Sequence, residues 1–325
     1  MNSSKTKSTK KDSFYYSALP EPIPITEQVW PEGTRPLVCT RHMTYNHENY
    51  IRECIDGVLM QKTTFPVRVC IHDDASTDKT AEIVREYQEK YPNLIWAYYQ
   101  KENTFRHPNR AEMRSEFMGW AEEGKYQAIC EGDDYWTDPY KLEKQVSLLI
   151  SNNADACYSF WREIREGVVS KKKYDNIQTG DFLSQDKYHY FHTTTRMYRT
   201  EFLKKIRTEY PKELKVDTPI QYLALMTGLK IVVLAEITSM YRRSGYGIWT
   251  SLSTKEQDLA HIQIFSLLGA YIPQKKYFFF KRALSYYPLS KFLRSNKLTL
   301  QLYRVCSLLA LPFFANYVDK KIHHR

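Results

Sequence analysis

Apolar residues in this chain come in short runs separated by stretches of helical periodicity. Leu37-Val38-Cys39-Thr40 reads as a buried strand, and residues 49–60 then place Tyr50, Ile51, Cys54, Ile55, Val58 and Leu59 at helical spacing. The rhythm repeats: a strand over 67–72, a helix over 80–91 with Ile83, Val84 and Tyr87 on one face, a strand over 94–99, a helix over 112–123 and a strand over 126–130. Thr77 or Asp78 is the expected N-cap of the second helix. After Asp138-Pro139, Leu142, Val146, Leu149 and Ile150 mark a helix over 140–151. From 155 to 250 the pattern is less regular, with strands expected at 157–161, 194–198 and 231–235, a loop through Lys171–Lys173 and a helix over 217–227. Beyond Lys255 it is helical and rich in aromatic residues.

Strands alternating with helices of this length predict an α/β fold with a parallel, doubly wound sheet, in which ligands bind where the carboxyl ends of strands open into loops. Two acidic turns, Asp73-Asp74 and Glu131-Gly132-Asp133-Asp134, fall at such ends. Isolated Asp pairs usually cap helices or solvate loops, so it is their shared placement that points to chemistry. Carboxylates at i and i+2 across a tight turn can face one diphosphate, and Gly132 between them lets the backbone come close. Hard oxygen ligands of this kind suit Mn²⁺ or Mg²⁺.

Composition changes the picture mainly at the ends. The net charge of +10 is concentrated in residues 275–325, which hold eleven Lys or Arg against one acid, and in the first twelve residues, with four Lys against one Asp. The central body is slightly acidic. A duplex-binding protein would carry its basic stripe across the body, so nucleic acid is not an expected partner. Residues 1–32 combine a Ser/Lys-rich start with Pro20, Pro22, Pro24 and Pro31 and read as a flexible arm. They lack the roughly 7–15-residue apolar core of a secretory leader. A cytoplasmic location is expected. Of the six cysteines, Cys39, Cys70, Cys130 and Cys157 lie in or beside apolar runs, and none forms a CxxC pair or a tight sequence cluster, so buried thiols are expected.

Three ordered segments carry a resemblance to a known family. Thr44-Tyr45-Asn46-His47-Glu48-Asn49-Tyr50-Ile51, then His72-Asp73-Asp74-Ala75-Ser76-Thr77-Asp78-Lys79-Thr80, then Glu131-Gly132-Asp133-Asp134-Tyr135-Trp136-Thr137-Asp138-Pro139 closely resemble family 2 glycosyltransferases of the GT-A fold. The resemblance spans roughly 36–250. It implies a GT-A domain over 33–254, with a Rossmann-like, mostly parallel sheet flanked by helices and a helical C-terminal region over 255–325. It also implies transfer of a sugar from a nucleotide-diphosphate donor, a UDP-sugar by expectation, with inversion and with Mn²⁺ or Mg²⁺ as cofactor.

Carried over residue by residue, the resemblance puts Thr44 and Tyr45 beside the nucleotide and an acid of the first turn on the base, Asp74 first and Asp73 second. Glu131-Gly132-Asp133 takes the family's Asp-x-Asp position, with Asp133 on the metal and Glu131 toward the ribose or a metal-bound water. Lys215-Val216-Asp217-Thr218-Pro219 resembles the segment that supplies the general base, here Asp217. Met240-Tyr241-Arg242-Arg243-Ser244 resembles the segment that closes over the donor, with Ser244 where relatives often carry His. Asp134, Trp136, His192, Arg242, Arg243 and Trp249 are further candidates for diphosphate or acceptor contacts. A non-catalytic protein that binds nucleotide-sugar or glycan on the same fold is the alternative reading.

The basic, aromatic tail has the composition of a segment drawn to anionic lipid. Its longest uncharged apolar stretch, Val305–Val318, contains Pro312 and is too short for the about 20 residues of a membrane-spanning helix. The expectation is peripheral association with the inner face of the plasma membrane, beside a glycan or lipid-linked acceptor.

Overall fold

A computed structural model describes residues 17–105, 107–170, 177–183, 191–209, 217–243 and 253–271. The described part of the N-terminal arm forms β1 (Ile23–Pro24), and the first strand of the main sheet is β2 (Val38–Thr44). There follow α1 (Ile51–Leu59), β3 (Lys62–Thr63), β4 (Val67–Asp73), α2 (Thr80–Lys90), β5 (Ile95–Tyr99), α3 (Arg110–Met113), α4 (Ser115–Ala121) and β6 (Tyr126–Ile129). The second half runs β7 (Tyr135–Trp136), α5 (Lys141–Ser151), β8 (Ala156–Arg165), β9 (Val168–Val169), a 3-10 turn at Thr193–Thr195, β10 (Met197–Arg199), α6 (Thr200–Glu209), α7 (Asp217–Met226), β11 (Ile231–Arg242) and α8 (Thr254–Tyr271).

The main sheet has the order β5-β4-β2-β6-β10-β8-β11-β7, with β9 added on β8, while β1 and β3 form a separate antiparallel pair. From β5 to β6 all pairings are parallel. Strand β10 then runs antiparallel to both neighbours, β11 pairs parallel with β8, and β7 closes the edge antiparallel. This is the expected α/β sheet in its first half and a mixed sheet in its second. The chain leaves β2 toward β4 and β5 on one side and returns to β6 on the other, which opens a crevice beyond the carboxyl ends of β2 and β6.

Both faces of the parallel half are buried, which is why its strands read as nearly continuous apolar runs. Val38, Val69 and Ile71 pack under α1 and α2, whereas the alternate residues Cys39 and Cys70 pack against Phe117 and Ala121 of α4. The second half has its own core around Tyr158, Phe160, Tyr198, Leu223 and Phe265. Gly57 of α1 sits so close to β7 that a Cβ there would lie 2.9 Å from the backbone of Trp136.

The structure departs from the periodicity in informative places. The expected helix over 112–123 is broken at Arg114 into α3 and α4. Helix α6, with Phe202, Leu203 and Ile206 buried, was not expected, although its apolar spacing is helical. Strand β11 runs on to Arg242, well past 235, because its second half pairs with both β8 and β7. Where a strand was expected over 194–198, a 3-10 turn precedes the short β10. Neither Thr77 nor Asp78 is the N-cap of α2; Lys79 takes that position, while Asp78 Oδ1 accepts from the Thr80 N–H at 2.9 Å. Among the described residues no helix is long and apolar enough to cross a membrane. The basic tail over 275–325 lies outside the described residues.

Candidate active site

The sheet register brings the motif residues together. Thr44, last of β2, pairs with Asp73, last of β4. Beyond β6 the chain stays beside β2, with the Cys130 N–H donating to the Arg41 carbonyl at 3.1 Å and the Gly132 N–H to the Met43 carbonyl at 2.8 Å. Thr44, Asp73 and the 131–134 turn therefore line one crevice at the carboxyl edge of the sheet. A Cβ on Gly132 would lie 2.7 Å from Thr44 Oγ1 and 2.8 Å from His47 Nδ1, so a side chain there would displace both.

Most polar side chains of the first two motifs hold the loops to each other. The Asn46 N–H donates to Ser76 Oγ at 2.9 Å, the His47 N–H to Thr80 Oγ1 at 2.7 Å and the Glu48 N–H to Asp78 Oδ2 at 3.0 Å. In return the Thr77 N–H donates to Asn46 Oδ1 at 2.8 Å and the Lys79 N–H to Glu48 Oε2 at 3.1 Å. These bonds satisfy backbone donors that no strand or helix reaches. Asn46 and Ala75 take positive φ values of 55° and 62°, which let the two loops turn toward each other.

Within that frame the two aspartates of the first turn differ. Asp74 Oδ1 accepts from the Thr104 N–H at 3.0 Å and the Thr104 hydroxyl at 2.5 Å, and Asp74 Oδ2 pairs with Arg114 at 2.9 Å. Both of its oxygens are engaged. Asp73 Oδ2 accepts from the Ser76 N–H at 3.1 Å, but Asp73 Oδ1 is buried with no partner among the described residues. Burial pushes the Asp73 carboxyl up, with the Ser76 hydrogen bond working against it. Thr44 Oγ1 and His47 Nδ1 are likewise buried without partners. Tyr45 is 42% exposed at the rim. Sequence reasoning missed Thr104 and Arg114, which occupy Asp74 and so leave Asp73 as the acid with an open acceptor; neither belongs to a recognisable motif.

The second turn repeats the division. Asp134 is buried, and its Oδ1 accepts from the Arg242 N–H of β11 at 2.7 Å while Oδ2 lies 3.7 Å from His192 Nδ1. Burial, and then the adjacent Asp133 charge, push its carboxyl well above the usual range. Asp133 is half-buried, and its carboxylate has no hydrogen-bond or ion-pair partner among the described residues. Glu131 is half-buried beside it.

Several candidates are engaged by other protein groups. Trp136 is 2% exposed, donates from Nε1 to the Thr194 carbonyl at 2.9 Å and lies under the buried Lys141 ammonium, 4.4 Å from the ring. Buried in this way, it cannot touch a diphosphate or an acceptor. Arg242 donates to the Asp133 carbonyl at 3.0 Å, pairs with Glu53 at 2.6 Å and lies over the Tyr50 and Tyr135 rings. It clamps the turn to α1 and β11. Arg243 pairs with Glu163 at 3.2 Å. His192 stacks on Tyr241 at 3.9 Å, with its ring beside Asp134. The next residues connect this corner to α7: Gln221 Oε1 accepts from the Phe191 N–H at 3.3 Å and from Arg196 at 3.1 Å. Asp217 opens α7, one turn before Gln221; its side chain lies outside the described residues, as do Ser244 and Trp249.

Beneath the second turn the fold also collects thiols that sequence spacing keeps far apart. Cys54 Sγ donates to the Glu131 carbonyl at 3.4 Å and lies 3.5 Å from His42 Nδ1, and Cys130 completes the group. A hydrogen bond from Cys130 pulls the Cys54 thiol down to about 5 against the cost of burial, while burial pushes Cys130 well up. The expectation of buried thiols holds for all five described cysteines.

A switch-point crevice lined by carboxylates, on a sheet of this order, defines an α/β ligand-binding fold, and its relatives make the class specific. Residues 43–207 match the family model Glycosyl transferase family 2, and the chain belongs to that family. Among curated relatives, an uncharacterized protein of Mycobacterium tuberculosis is 35% identical over 216 residues, covering 65% of this chain and 60% of the relative. This chain thus spans less than two thirds of the length of that relative. Among solved structures, Staphylococcus aureus TarS 1–349 in complex with UDP-GlcNAc superposes with a TM-score of 0.59 at 22% identity, covering 81% of this chain and 77% of that one. The Pyrobaculum calidifontis mannosyltransferase PcManGT, in complex with GDP-Man and Mn²⁺, gives 0.53 at 16% identity over 95% and 87%. These likenesses establish the GT-A fold.

Proposed function

We propose that the protein transfers a sugar, with inversion, from a nucleotide-diphosphate donor to a hydroxyl of a glycan or lipid-linked acceptor in surface polysaccharide or glycolipid synthesis. The observation that carries this reading is the row of unsatisfied acceptors in the crevice. Among the described residues, Asp73 Oδ1 and Thr44 Oγ1 are buried without partners, and the Asp133 carboxylate has none. Buried polar atoms of this kind cost free energy unless something pairs with them. A donor nucleotide supplies the missing partners.

In this reading Asp73, in place of Asp74, accepts from the imide N–H of uracil, because Asp74 is occupied by Thr104 and Arg114. A UDP-sugar is accordingly the preferred donor. Thr44 and Tyr45 flank the nucleotide, and Glu131 faces the ribose. Asp133 is the residue to hold Mn²⁺ or Mg²⁺, since it offers a hard, partly solvated oxygen with no competing protein partner. An ion held there by Asp133 would supply positive charge against the departing diphosphate. Asp217 takes the proton from the acceptor hydroxyl as its oxygen attacks the anomeric carbon opposite the leaving group. Its helix is tied through Gln221 and Phe191 to His192, which lies beside the acidic turn. Residues 275–325 draw the enzyme to an anionic membrane surface on the cytoplasmic side.

A thermal-shift screen of nucleotide-sugars with Mn²⁺ or Mg²⁺ tests the reading. One UDP-sugar is expected to raise Tm in wild type and to lose most of that shift in both Asp73→Ala and Asp133→Ala. Equal shifts in the wild type and Asp133→Ala proteins would overturn the metal assignment, and a shift independent of Asp73 would overturn the base assignment. Sedimentation with anionic vesicles, repeated on protein lacking 275–325, tests the membrane contact; unchanged binding by the shortened protein would refute it.

A further inference from the structure

Directly under the acidic turn, three side chains that the proposed reaction does not use converge from three elements of the fold. His42 comes from β2, Cys54 from α1, and Cys130 follows β6; each is about 1% exposed. One ligand atom from each lies within 4.8 Å of the other two, and among the described residues this is the one group of three or more such side chains that close together. We propose that His42, Cys54 and Cys130 bind a thiophilic divalent cation, Zn²⁺, at a structural site distinct from the carboxylate turn.

One edge of the group already has the dimension of a zinc site. With Zn–S near 2.3 Å and Zn–N near 2.05 Å in a tetrahedral site, the sulfur–nitrogen edge is about 3.6 Å. Cys54 Sγ and His42 Nδ1 are already 3.5 Å apart. The opposite ring nitrogen, His42 Nε2, lies 2.9 Å from the buried Thr40 hydroxyl. Donation from Nε2–H to Thr40 leaves the Nδ1 lone pair directed at the thiols, the outer-shell arrangement usual for metal-bound histidine.

Charge selects among cations. Binding releases one proton from each thiol, so two thiolates and a neutral imidazole around Zn²⁺ carry no net charge. A monovalent ion in the same ligands would leave one net negative charge on three fully buried residues. Mn²⁺ and Mg²⁺ prefer oxygen and belong to the carboxylate turn instead. The bound ion cross-links β2, α1 and the segment after β6, and Cys130, covalently next to Glu131, carries that constraint into the turn. The site rests on the fold alone and does not depend on the proposed reaction.

The test uses the full chain. Protein produced with zinc and dialysed against Mg²⁺-containing, zinc-free buffer is expected to retain about one zinc per chain by elemental mass spectrometry. Chelator-stripped wild type refilled with Co²⁺ should show a thiolate-to-cobalt charge-transfer band and the intense visible bands of tetrahedral cobalt. Cys130→Ser should lose the zinc, whereas Asp133→Ala should keep it while losing the Mn²⁺-dependent donor shift. A wild-type protein with no thiolate–cobalt band would overturn the site. So would a native Cys54–Cys130 disulfide by intact mass, or equal zinc in folded Cys130→Ser. Because the cobalt spectrum needs no variant, a misfolded mutant leaves the result readable, and retention of zinc in Asp133→Ala separates this site from the catalytic reading.

Discussion

The two acidic turns at the mouth of the sheet share a division of labour but achieve it differently. In each, the second aspartate is an anchor and the first keeps a carboxylate oxygen without a partner among the described residues. Asp74 is anchored by an ion pair to Arg114 and by Thr104, whereas Asp134 is anchored by one backbone N–H from Arg242, with His192 at 3.7 Å. The first turn therefore buries a charge with its countercharge. The second buries a carboxyl that desolvation pushes well above the usual range.

The sharpest break of that comparison is Asp74→Ala. It strands the Arg114 guanidinium, only 20% exposed, without its partner, and should lower stability by about 3–5 kcal/mol. Urea unfolding measures this, and a loss below about 1 kcal/mol would show that the first turn is not anchored by the pair. Asp133→Ala sits at the other pole. Its urea midpoint should match wild type, while turnover falls by about 10²–10³-fold, the scale seen when one charge-stabilising group is removed. A stability loss without a loss of turnover would reverse the roles given to the turns.

A pH series sharpens the first turn further. Burial, and then the Arg114 charge, hold His72 down to about 4, against about 6.5 for a free histidine. Its folded pKa is the lower one, so the unfolded chain takes up the proton first as pH falls. Stability present above pH 6.5 is thus lost progressively down to pH 4, by about 3 kcal/mol. His72→Phe, packing between Tyr98 and Phe117, should flatten that part of the profile. The smallest effect belongs to Arg243→Ala. Its pair with Glu163 is well solvated, so the stability change should stay below about 1 kcal/mol, with donor affinity unchanged. A tenfold loss of donor affinity in that variant would extend the diphosphate site beyond the acidic turn.

Much of the site was legible because strand and helix periods are local. Short apolar runs over 37–40, 67–72 and 126–130 announce strands, and three polar motifs following them announce a ligand. What stayed hidden depends on contacts between distant residues. The break at Arg114 between α3 and α4 places the residue whose guanidinium reaches Asp74, forty positions away. Trp136 reads as an exposed aromatic of a binding motif until α1 closes over it through Gly57.

By itself, then, the sequence determined the parallel half of the sheet, its acidic edge and the family of folds to which it belongs, because each follows from patterns a few residues long. Only the tertiary structure decided which aspartate of each pair has an open oxygen, that Arg242 reaches Glu53 and the Asp133 carbonyl, and that His42, Cys54 and Cys130 meet beneath the turn. Those outcomes are set by burial and by which partner arrives first at a buried polar atom, and neither is written in the spacing of residues along the chain.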